Sequence, residues 1–338
     1  MSAVIAVAVP ADLRALFFPS PVWSSLAELG ELRVVADGDG GRLGEPRVLA
    51  ELAGPADVLV TSWPCASLTG PVLDAAPRLR LVAHTGASVK PYVGHDAFAR
   101  GVRVTQAGAA MGRAVGEQAF ALTLALLHRV HRFDLALRTG VPWADAKASA
   151  PPRHELLGCP VGVVGASRTG RAYIELVRAL GGVVTVADPY LSEAEAFDLG
   201  VTVAGLDTVL RTSRVVALHA PVLPETRRMI GARELALLPD EAVLVNTARA
   251  ALIDADALLA ELRTGRIDAA IDVYDEQPLP VDHPLRSLPN VLLTPHEAGG
   301  TVQARARGGG IVVDELARFL SGEPLRHEVT EDLLARVG

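Results

Sequence analysis

Short apolar runs recur along the second half of the chain, and stretches with helical spacing separate them. The runs are VGVVG (161–165), VVTVAD (183–188), RVVALHAP (214–221), AVLVNTA (242–248), AAIDV (269–273) and VLLTPH (291–296). Strands that alternate with helical stretches form βαβ units, which build a parallel sheet. Each run has polar or small residues at its carboxyl end, where open α/β sheets bind their ligands. The pattern therefore predicts an α/β fold with a site at that edge.

The first part of the chain shows the same alternation on a smaller scale. Apolar runs at 4–9, 57–61, 79–84 and 102–105 predict strands, and helical stretches at 24–30 and 71–76 lie between them. We therefore expect a second, smaller parallel-sheet unit in this part of the chain.

Other segments lie outside this alternation. Residues 112–138 carry apolar side chains at helical spacing, and the turn-rich segment 140–152 follows, which we interpret as a connector or an oligomer contact. After Gly310, an amphipathic helix at 311–320 is expected to pack back on the first unit, so that the larger unit interrupts the smaller one. The three glycines within 305–310 predict a hinge or a late helix start, because each costs roughly 1 kcal/mol relative to Ala inside a helix.

Composition argues against several classes of protein. The 338 residues carry a net charge of −7 and show no basic stripe, which argues against nucleic-acid binding. The longest apolar run, about ten residues, is well short of the roughly 18 that a membrane span needs. Cys65 and Cys159 offer neither a disulfide framework nor metal-ligand spacing. We expect a cytoplasmic protein that begins with a strand and binds no metal, nucleic acid or membrane.

A glycine-containing turn follows the first apolar run of the larger unit. Its sequence is Gly165-Ala-Ser167-Arg-Thr-Gly170, and Asp188 ends the next run. Gly165 suits a tight turn, Gly170 allows close approach of helix and strand, and the helix N-terminus favours a pyrophosphate. Asp188 would accept hydrogen bonds from ribose hydroxyls and repel a 2′-phosphate, which favours NAD(H) over NADP(H). Ser167 stands where the middle glycine usually lies, so an ordinary strand-to-helix turn is the alternative.

Three polar side chains stand at successive strand ends, namely Arg249, Asp272 and His296. A histidine can donate or remove a proton near neutral pH, and a guanidinium can hold a carboxylate and polarise a carbonyl. Taken singly, Arg249 could be a surface ion-pair partner and His296 a loop residue. Their joint occurrence after a dinucleotide-binding turn favours a catalytic role. His219 also ends a strand, where it either lines the cofactor site or is structural.

These motifs resemble those of the D-isomer-specific 2-hydroxyacid dehydrogenases, the family that includes phosphoglycerate, formate and glycerate dehydrogenases. The stretches that carry the resemblance are VGVVGASRTGR, VVTVADPY, RVVALHAPVLPETRRMIG, LVNTARAALIDADALLAELRTGRIDAAIDVYDEQPLP and NVLLTPHEAGGT, which lie within residues 100–330. The resemblance implies two Rossmann- or flavodoxin-like domains with parallel sheets, in which the cofactor domain is inserted into a split catalytic domain.

The resemblance also implies domain boundaries and partners. Residues 1–107 and 305–338 would form the discontinuous substrate domain, and residues 108–304 the NAD-binding domain. The helix and arm at about 112–152 would make the contact of a homodimer. The other implied partner is a small anionic substrate.

Single residues acquire roles from the same resemblance. Arg249 would bind the substrate carboxylate and carbonyl oxygen, and His296 would be the acid/base. Asp272 would contact the nicotinamide side of the cofactor, whose pyrophosphate would meet Arg168 and Thr169. The expected cofactor site comprises Gly165, Ser167, Arg168, Thr169, Gly170, Asp188, His219, Ala220, Pro221, Thr226, Thr247, Ala248, Asp272, Ala298 and Gly299.

The sequence departs from the family pattern at the third catalytic position, where Gln277 replaces a glutamate. A glutamate beside the histidine favours imidazolium and raises its pKa. Glutamine keeps a hydrogen bond but removes the charge, so we expect His296 to be less protonated at neutral pH. Glu276 and Glu297 lie next to these residues in the sequence, and either could substitute for the missing carboxylate.

The substrate loop also departs from the pattern Gly-x-Gly-x-Asp, since it is Gly86-Ala87-Ser88-Val-Lys90. The backbone amides of Ala87 and Ser88 would hold the substrate carboxylate. Lys90 stands where the family pattern has an acid. If Lys90 faces the site, its positive charge suits a substrate with a second anionic group. The alternative interpretation is that Lys90 is an ordinary surface residue. Specificity is expected to depend on Trp63, His84 and this loop.

Together these features predict an NAD-dependent oxidoreductase. It would interconvert a D-2-hydroxy acid, or a related anionic hydroxy compound, and its 2-oxo form by hydride transfer. The alternative is a non-catalytic NAD(H)-sensing binding protein of the corepressor type. Turnover of 2-oxo acids with NADH distinguishes the two.

Overall fold

A computed structural model of the chain describes residues 2–36, 38 and 40–336. Structural contacts divide the chain into two compact units, Met1–Met111 with Gly300–Gly338, and Gly112–Gly299. Met1 and Gly338, the outer limits of the expected substrate domain, lie outside the described residues.

The first unit contains a five-stranded parallel sheet with the strand order β2-β1-β3-β4-β5. Its strands and first helices are β1 (Ala3–Ala8), α1 (Ala11–Phe17), α2 (Ser20–Glu28), β2 (Gly30–Val34), α3 (Pro46–Ala53), β3 (Val58–Thr61), α4 (Gly70–Ala75), β4 (Leu81–His84), α5 (His95–Ala99) and β5 (Arg103–Gln106). Short 3₁₀ turns cover Gly40–Arg42 and Gly108–Ala110. Strands β3 and β4 are buried throughout, which explains why they are continuous apolar runs rather than alternating ones.

The second unit contains a seven-stranded parallel sheet with the order β12-β11-β10-β9-β6-β7-β8. Its elements are α6 (Gly112–Leu127), α7 (Val130–Arg138), α8 (Trp143–Ala148), β6 (Pro160–Val164), α9 (Arg168–Ala179), β7 (Val183–Ala187), α10 (Glu193–Leu199), β8 (Thr202–Val203), α11 (Leu206–Thr212), β9 (Val215–Leu218), α12 (Ala232–Leu235), β10 (Val243–Asn246), α13 (Ala255–Arg263), β11 (Asp268–Ile271) and β12 (Val291–Leu293). Short 3₁₀ turns cover Ala250–Leu252 and Pro284–Ser287. The predicted fold class, two α/β units with parallel sheets, is confirmed.

The helical pattern at 112–138 is not one helix, because the chain breaks between α6 and α7. Arg129 adopts a left-handed conformation there, with φ of 54°, and its side chain is fully buried. Its guanidinium lies 2.9 Å from the carboxylate of Asp268, which Arg132 also approaches within 2.6 Å. Burial alone would raise the pKa of Asp268, but hydrogen bonds from His131 and Arg132 and the charge of Arg129 lower it to about 2. This ion-pair cluster holds the break in place.

The segment 140–152 also differs from the expected turn-rich arm, since it contains the helix α8. Pro142 precedes this helix, and Ala146 is buried while Trp143 is exposed. The apolar side of the segment is too short for its period to be recognised in the sequence.

The last part of the chain returns to the first unit through α14 (Val302–Leu320), and α15 (Glu331–Arg336) follows. The expected hinge or late start within 305–310 is wrong, because α14 runs without interruption through Gly308, Gly309 and Gly310. A Cβ atom on Gly309 would collide with the backbone oxygen of Phe17, and one on Gly308 would lie 3.1 Å from its ring. The glycines therefore let α14 pack closely against the end of α1.

Two edge strands, β2 and β8, were not predicted from the sequence. Strand β2 is only partly buried along its length, and the two residues of β8 are exposed. Edge strands of this kind bury little apolar surface, so they produce no apolar run. Gly30, expected as the end of a helix, is the first residue of β2. Among the described residues, no helix combines the length and apolar character that crossing a membrane requires.

Candidate active site

The glycine turn joins β6 to α9. Gly165 has φ of +96°, and a Cβ atom there would lie 2.6 Å from the backbone nitrogen of Ala220. A Cβ atom on Gly170 would collide with the carbonyl oxygen of Gly165. Ser167 is the N-cap of α9, where its hydroxyl accepts a hydrogen bond from the Gly170 N–H at 3.4 Å. Both glycines are thus required by close approach of the backbone, and Ser167 stabilises the helix start.

Asp188 lies directly after β7, the strand next to the glycine turn. Its carboxylate accepts hydrogen bonds from the N–H of Ala166 at 2.7 Å and from the N–H of Tyr190 at 2.9 Å. Arg171, which sequence reasoning missed, donates to the carbonyl of Ala166 at 3.0 Å. The carboxylate is half-buried and fixed beside the turn. Its oxygens retain further acceptor capacity, as binding of ribose hydroxyls requires.

His219 packs beside the same turn. Its Nδ1 lies 3.1 Å from the Thr169 hydroxyl, which in turn lies 3.1 Å from the Ser167 hydroxyl. Burial lowers the pKa of His219 to about 3, so the ring is neutral at physiological pH. Its ring packs against that of Tyr173 with a centroid distance of 5.1 Å. These contacts fix the ring beside the turn, while its buried Nε2 has no hydrogen-bond partner among the described residues, so contact of His219 with the cofactor stays a prediction.

The segment after His219 is shaped by its own hydrogen bonds. Ala220 is buried against Gly165, and Pro221 is exposed. The Thr226 hydroxyl donates to the carbonyl of Pro221 and accepts from the N–H of Leu223, both at 2.7 Å. Thr226 therefore closes this loop on itself.

Arg249 follows β10 in a turn that Asn246 organises. The Asn246 amide donates to the carbonyl of Arg249 at 3.0 Å and accepts from the N–H of Ala248 at 3.1 Å. Arg249 donates to the carbonyl of Ala248 at 2.7 Å, and burial lowers the pKa of its guanidinium. The buried Thr247 hydroxyl has no hydrogen-bond partner among the described residues. Sequence reasoning missed Asn246, although a polar residue at the end of a buried strand is a usable signal.

A buried carboxylate holds the loop that carries His296. Asp272 is fully buried at the end of β11. It accepts hydrogen bonds from the Thr294 hydroxyl at 2.5 Å and from the N–H groups of Glu297 and Ala298, both at 3.2 Å. His296 lies within this loop in a left-handed conformation, with φ of 58°. Asp272 therefore holds the histidine loop from inside the protein and presents no surface of its own to a nicotinamide.

Gln277 makes the hydrogen bond that orients His296. The Nδ1 atom of His296 lies 2.8 Å from Oε1 of Gln277, and Nε2 of Gln277 donates to the carbonyl of Tyr274 at 3.0 Å. Because an amide oxygen can only accept, His296 donates from Nδ1, which leaves Nε2 as the reactive atom of the neutral ring. Desolvation lowers the pKa of His296; Asp272 and Glu297 oppose this shift, and the charge of Arg249 adds to it.

The two glutamates that could substitute for the missing family carboxylate do not occupy its position. Gln277 itself is the partner of Nδ1, and the exposed Glu276 takes no part in that bond. Glu297 raises the pKa of His296 through its charge. The pKa of His296 is lowered, first by burial, which is the direction expected for a histidine that is less protonated at neutral pH.

The expected substrate loop belongs to the first unit, where it follows β4. Ala87 and Ser88 are half-buried and Lys90 is exposed. The carbonyl of Gly86 accepts a hydrogen bond from the N–H of Ala107 at 3.0 Å, which ties the loop to the end of β5. Arg168 is exposed at the start of α9 in the second unit, and Ala298 and Gly299 follow His296 there. The second unit thus contains the glycine turn, Asp188, Arg249 and the His296–Gln277 pair.

Comparison with known families identifies the class of protein. Residues 120–298, more than half of the chain, match the family described as the D-isomer specific 2-hydroxyacid dehydrogenase, NAD binding domain. The chain belongs to the D-isomer specific 2-hydroxyacid dehydrogenase family, and its second unit contains that family's NAD-binding domain.

Curated relatives narrow the comparison. The chain is 32% identical over 300 residues to a D-3-phosphoglycerate dehydrogenase of Methanocaldococcus jannaschii. This match covers 88% of the chain and 55% of the relative. It is 33% identical over 285 residues to a glyoxylate reductase of Korarchaeum cryptofilum. This second match covers 82% of the chain and 83% of the relative. The chain spans about half the length of the curated D-3-phosphoglycerate dehydrogenases that it matches.

Solved structures resemble the chain over almost its whole length. A protein of Thermus thermophilus is 28% identical with a TM-score of 0.80, covering 97% of this chain and 100% of that protein. A D-lactate dehydrogenase of Treponema pallidum is 25% identical with a TM-score of 0.81, covering 97% of this chain and 99% of that protein. The fold is therefore that of the family.

Proposed function

We propose that the protein is an NAD-dependent D-2-hydroxyacid dehydrogenase that interconverts a small D-2-hydroxy acid and its 2-oxo form. The observation that carries this proposal is the His296–Gln277 hydrogen bond of 2.8 Å, which orients an acid/base group on a loop held by Asp272. The charge of Arg249 acts on the same histidine. An acid/base and a carboxylate-binding cation in one dinucleotide-binding unit are the groups that reduction of a 2-oxo acid needs.

The glycine turn and Asp188 suit NAD(H). The turn has no room for a Cβ atom at Gly165 or Gly170, so its backbone is open to a pyrophosphate, with Arg168 and Thr169 at the helix start. Asp188 would hold the ribose hydroxyls. We propose that Thr247, Ala248, Ala298 and Gly299 border the nicotinamide, with Ala220, Pro221 and Thr226 further along the site. The bound cofactor supplies a hydride, that is, one proton and two electrons, to the carbonyl carbon.

The proton comes from His296 in this proposal. During reduction, protonated Nε2 of His296 gives its proton to the carbonyl oxygen, so that the hydride and this proton together convert the 2-oxo acid into the hydroxy acid. During oxidation, the neutral ring takes the hydroxyl proton at Nε2. Gln277 keeps Nδ1 protonated in both directions. Asp272 acts through the loop that carries His296, and we propose a positioning role for it instead of contact with the nicotinamide.

Arg249 would bind the substrate carboxylate and polarise the carbonyl group. Its guanidinium is half-buried, which strengthens its interaction with an anion because less water competes. In the first unit, the backbone amides of Ala87 and Ser88 are the proposed carboxylate-binding groups, and Lys90 would attract anions to that loop. On this proposal the first unit is the substrate domain and the second the cofactor domain.

A direct assay tests the proposal. The purified protein is mixed with NADH and a series of 2-oxo acids, and the loss of NADH absorbance is followed. We expect turnover, and its loss in Arg249→Ala and in His296→Ala while both variants still bind NADH. Activity retained in both variants would contradict the proposed roles. NADH binding without turnover of any acid would support the corepressor-type alternative, although the chain's curated relatives carry the names of dehydrogenases and reductases.

We also propose that the protein is a homodimer that works in the cytoplasm. Exposed apolar side chains cluster in α7 and α8, where Leu135 is 43%, Leu137 47% and Trp143 71% exposed, and large exposed apolar patches favour association. Analytical ultracentrifugation should give twice the chain mass for the native protein and the chain mass for Leu137→Ser combined with Trp143→Ser.

The proposed location agrees with the state of the cysteines. Cys65 and Cys159 are free thiols, as is usual for cytoplasmic proteins. Recovery of the protein outside the cytoplasm on cell fractionation would contradict that location.

A further inference from the structure

Trp63 is an exposed aromatic side chain at the carboxyl edge of the first unit's sheet. It lies two residues beyond the end of β3, and 40% of it is exposed, whereas the adjacent Ser62 is fully buried. Neighbouring β4 ends at His84 and leads into the loop that starts at Gly86. The exposed indole therefore lies at the edge where open α/β sheets bind ligands.

The indole is fixed in place by contacts on one side. Its ring lies 6.1 Å from that of Phe17 and 5.7 Å from that of His84, with an angle of 81° between the indole and imidazole planes. A Cβ atom on Gly86 would lie 2.9 Å from Cη2 of Trp63. The absence of a side chain at Gly86 thus allows Trp63 to pack against the first residue of the proposed substrate loop. The exposed 40% of Trp63 is the part that a ligand can contact.

The three residues described next to Trp63, namely Phe17, His84 and Gly86, carry no charge. Phe17 is apolar and Gly86 has no side chain. His84 is buried, its Nδ1 lies 3.0 Å from the Thr61 hydroxyl, and burial lowers its pKa to about 4. The imidazole is therefore neutral at physiological pH. A phosphate group would gain little here, since tight phosphate binding relies on charge-assisted hydrogen bonds from fixed cations.

We propose that the exposed face of Trp63 binds the side chain of the substrate and that this side chain is uncharged and apolar. The substrate class is then 2-oxo acids with branched aliphatic or aromatic side chains, and not phosphorylated acids. The inference rests on the proposed function, in particular on the loop Gly86–Lys90 as the carboxylate site. Lys90 is exposed four residues beyond Gly86 and serves the carboxylate instead of a second anionic group.

Substrate comparison tests the inference. The value of kcat/KM is measured with NADH for glyoxylate, 4-methyl-2-oxopentanoate, phenylpyruvate and 3-phosphohydroxypyruvate. We expect the two apolar acids to exceed both others by at least about tenfold. Trp63→Ala should lower kcat/KM for the apolar acids by about 10- to 100-fold, mainly through KM, because the contact is uniform binding of a hydrophobic group. Glyoxylate, which has no side chain, should change by less than about threefold.

Two further variants control for structure. Phe197→Ala removes another exposed aromatic side chain, 84% exposed on α10 of the second unit, and should leave all four values unchanged. Trp63→Phe keeps an apolar ring and should retain most of the preference for apolar acids, even if Trp63→Ala does not fold.

The outcomes separate this inference from the proposed function. A native preference for 3-phosphohydroxypyruvate, or an equal loss for glyoxylate and phenylpyruvate in both Trp63 variants, would overturn the inference and leave the dehydrogenase proposal standing. No NADH oxidation with any 2-oxo acid would overturn the proposed function and this inference with it.

Discussion

The glycine turn at Gly165–Gly170 and the histidine loop at Thr294–Ala298 belong to the same unit, but different forces hold them. The turn depends on the absence of side chains, because a Cβ atom at Gly165 or Gly170 would collide with neighbouring backbone. The loop depends on hydrogen bonds to Asp272, a buried carboxylate 22 residues before Thr294. A steric requirement is visible in residue type alone, whereas a hydrogen-bonded support is visible only when distant residues have been brought together.

The largest expected effect is the loss of the acid/base. His296→Ala should lower kcat by about 10²- to 10⁴-fold, the usual contribution of general acid–base catalysis. Since His296 supports nothing in the glycine turn, the Kd for NADH measured by calorimetry should change little. A large rise in that Kd would mean that the loop and the turn are coupled, contrary to the comparison.

Substitution of a glycine in the turn should mainly weaken NADH binding, whereas loss of His296 mainly lowers kcat. Gly170→Ala should raise the Kd for NADH by about 10- to 100-fold and destabilise the fold by about 1–3 kcal/mol, because the added Cβ overpacks the contact with Gly165. Calorimetry and thermal unfolding measure the two effects. The matched control is Gly205→Ala, where a Cβ atom meets no atom within 4 Å; an equal effect there would contradict the steric argument.

Weakening the support of the histidine loop should have a smaller effect. Asp272→Asn replaces an acceptor with a donor opposite the Ala298 or Glu297 N–H, which costs about 1–3 kcal/mol for a buried unpaired group. We expect kcat to fall by about tenfold, equivalent to ~1.4 kcal/mol in the activation barrier, with KM for NADH nearly unchanged. A purely structural role would lower the melting temperature without moving the pH dependence of kcat/KM, so the pH profile is the deciding measurement.

The smallest effect concerns the charge beside the histidine. In the proposed mechanism reduction needs protonated His296, whose pKa lies below its ordinary value, so kcat/KM for reduction should fall as pH rises through that lowered pKa. Oxidation needs the neutral ring and should reach its plateau above the same pH. Gln277→Glu adds a carboxylate beside Nδ1 and should shift both profiles upward by about one pH unit. If the pH profile of Gln277→Glu were unshifted, a charge at position 277 would not affect the protonation of His296 at Nε2, contrary to this prediction.

How much the sequence predicted varies with the kind of contact. The buried strands β3, β4, β9 and β10 were predicted because full burial requires continuous apolar runs. The partly buried strand β2 and the exposed strand β8 were missed because they bury too little to leave a pattern. The break at Arg129 was hidden for a different reason: its cause, Asp268, lies on another element.

The sequence by itself determined the fold class, the position of the glycine turn and the polar residues at the strand ends, namely Arg249, Asp272 and His296. Each follows from local chemistry, since burial and backbone sterics select residue types at fixed spacings. Only the tertiary structure decided that Gln277 is the partner of His296, that Asp272 holds the histidine loop from inside the protein and that Trp63 packs against Gly86. Those pairings depend on which distant segments the parallel sheets bring to the same edge, and no local pattern records them.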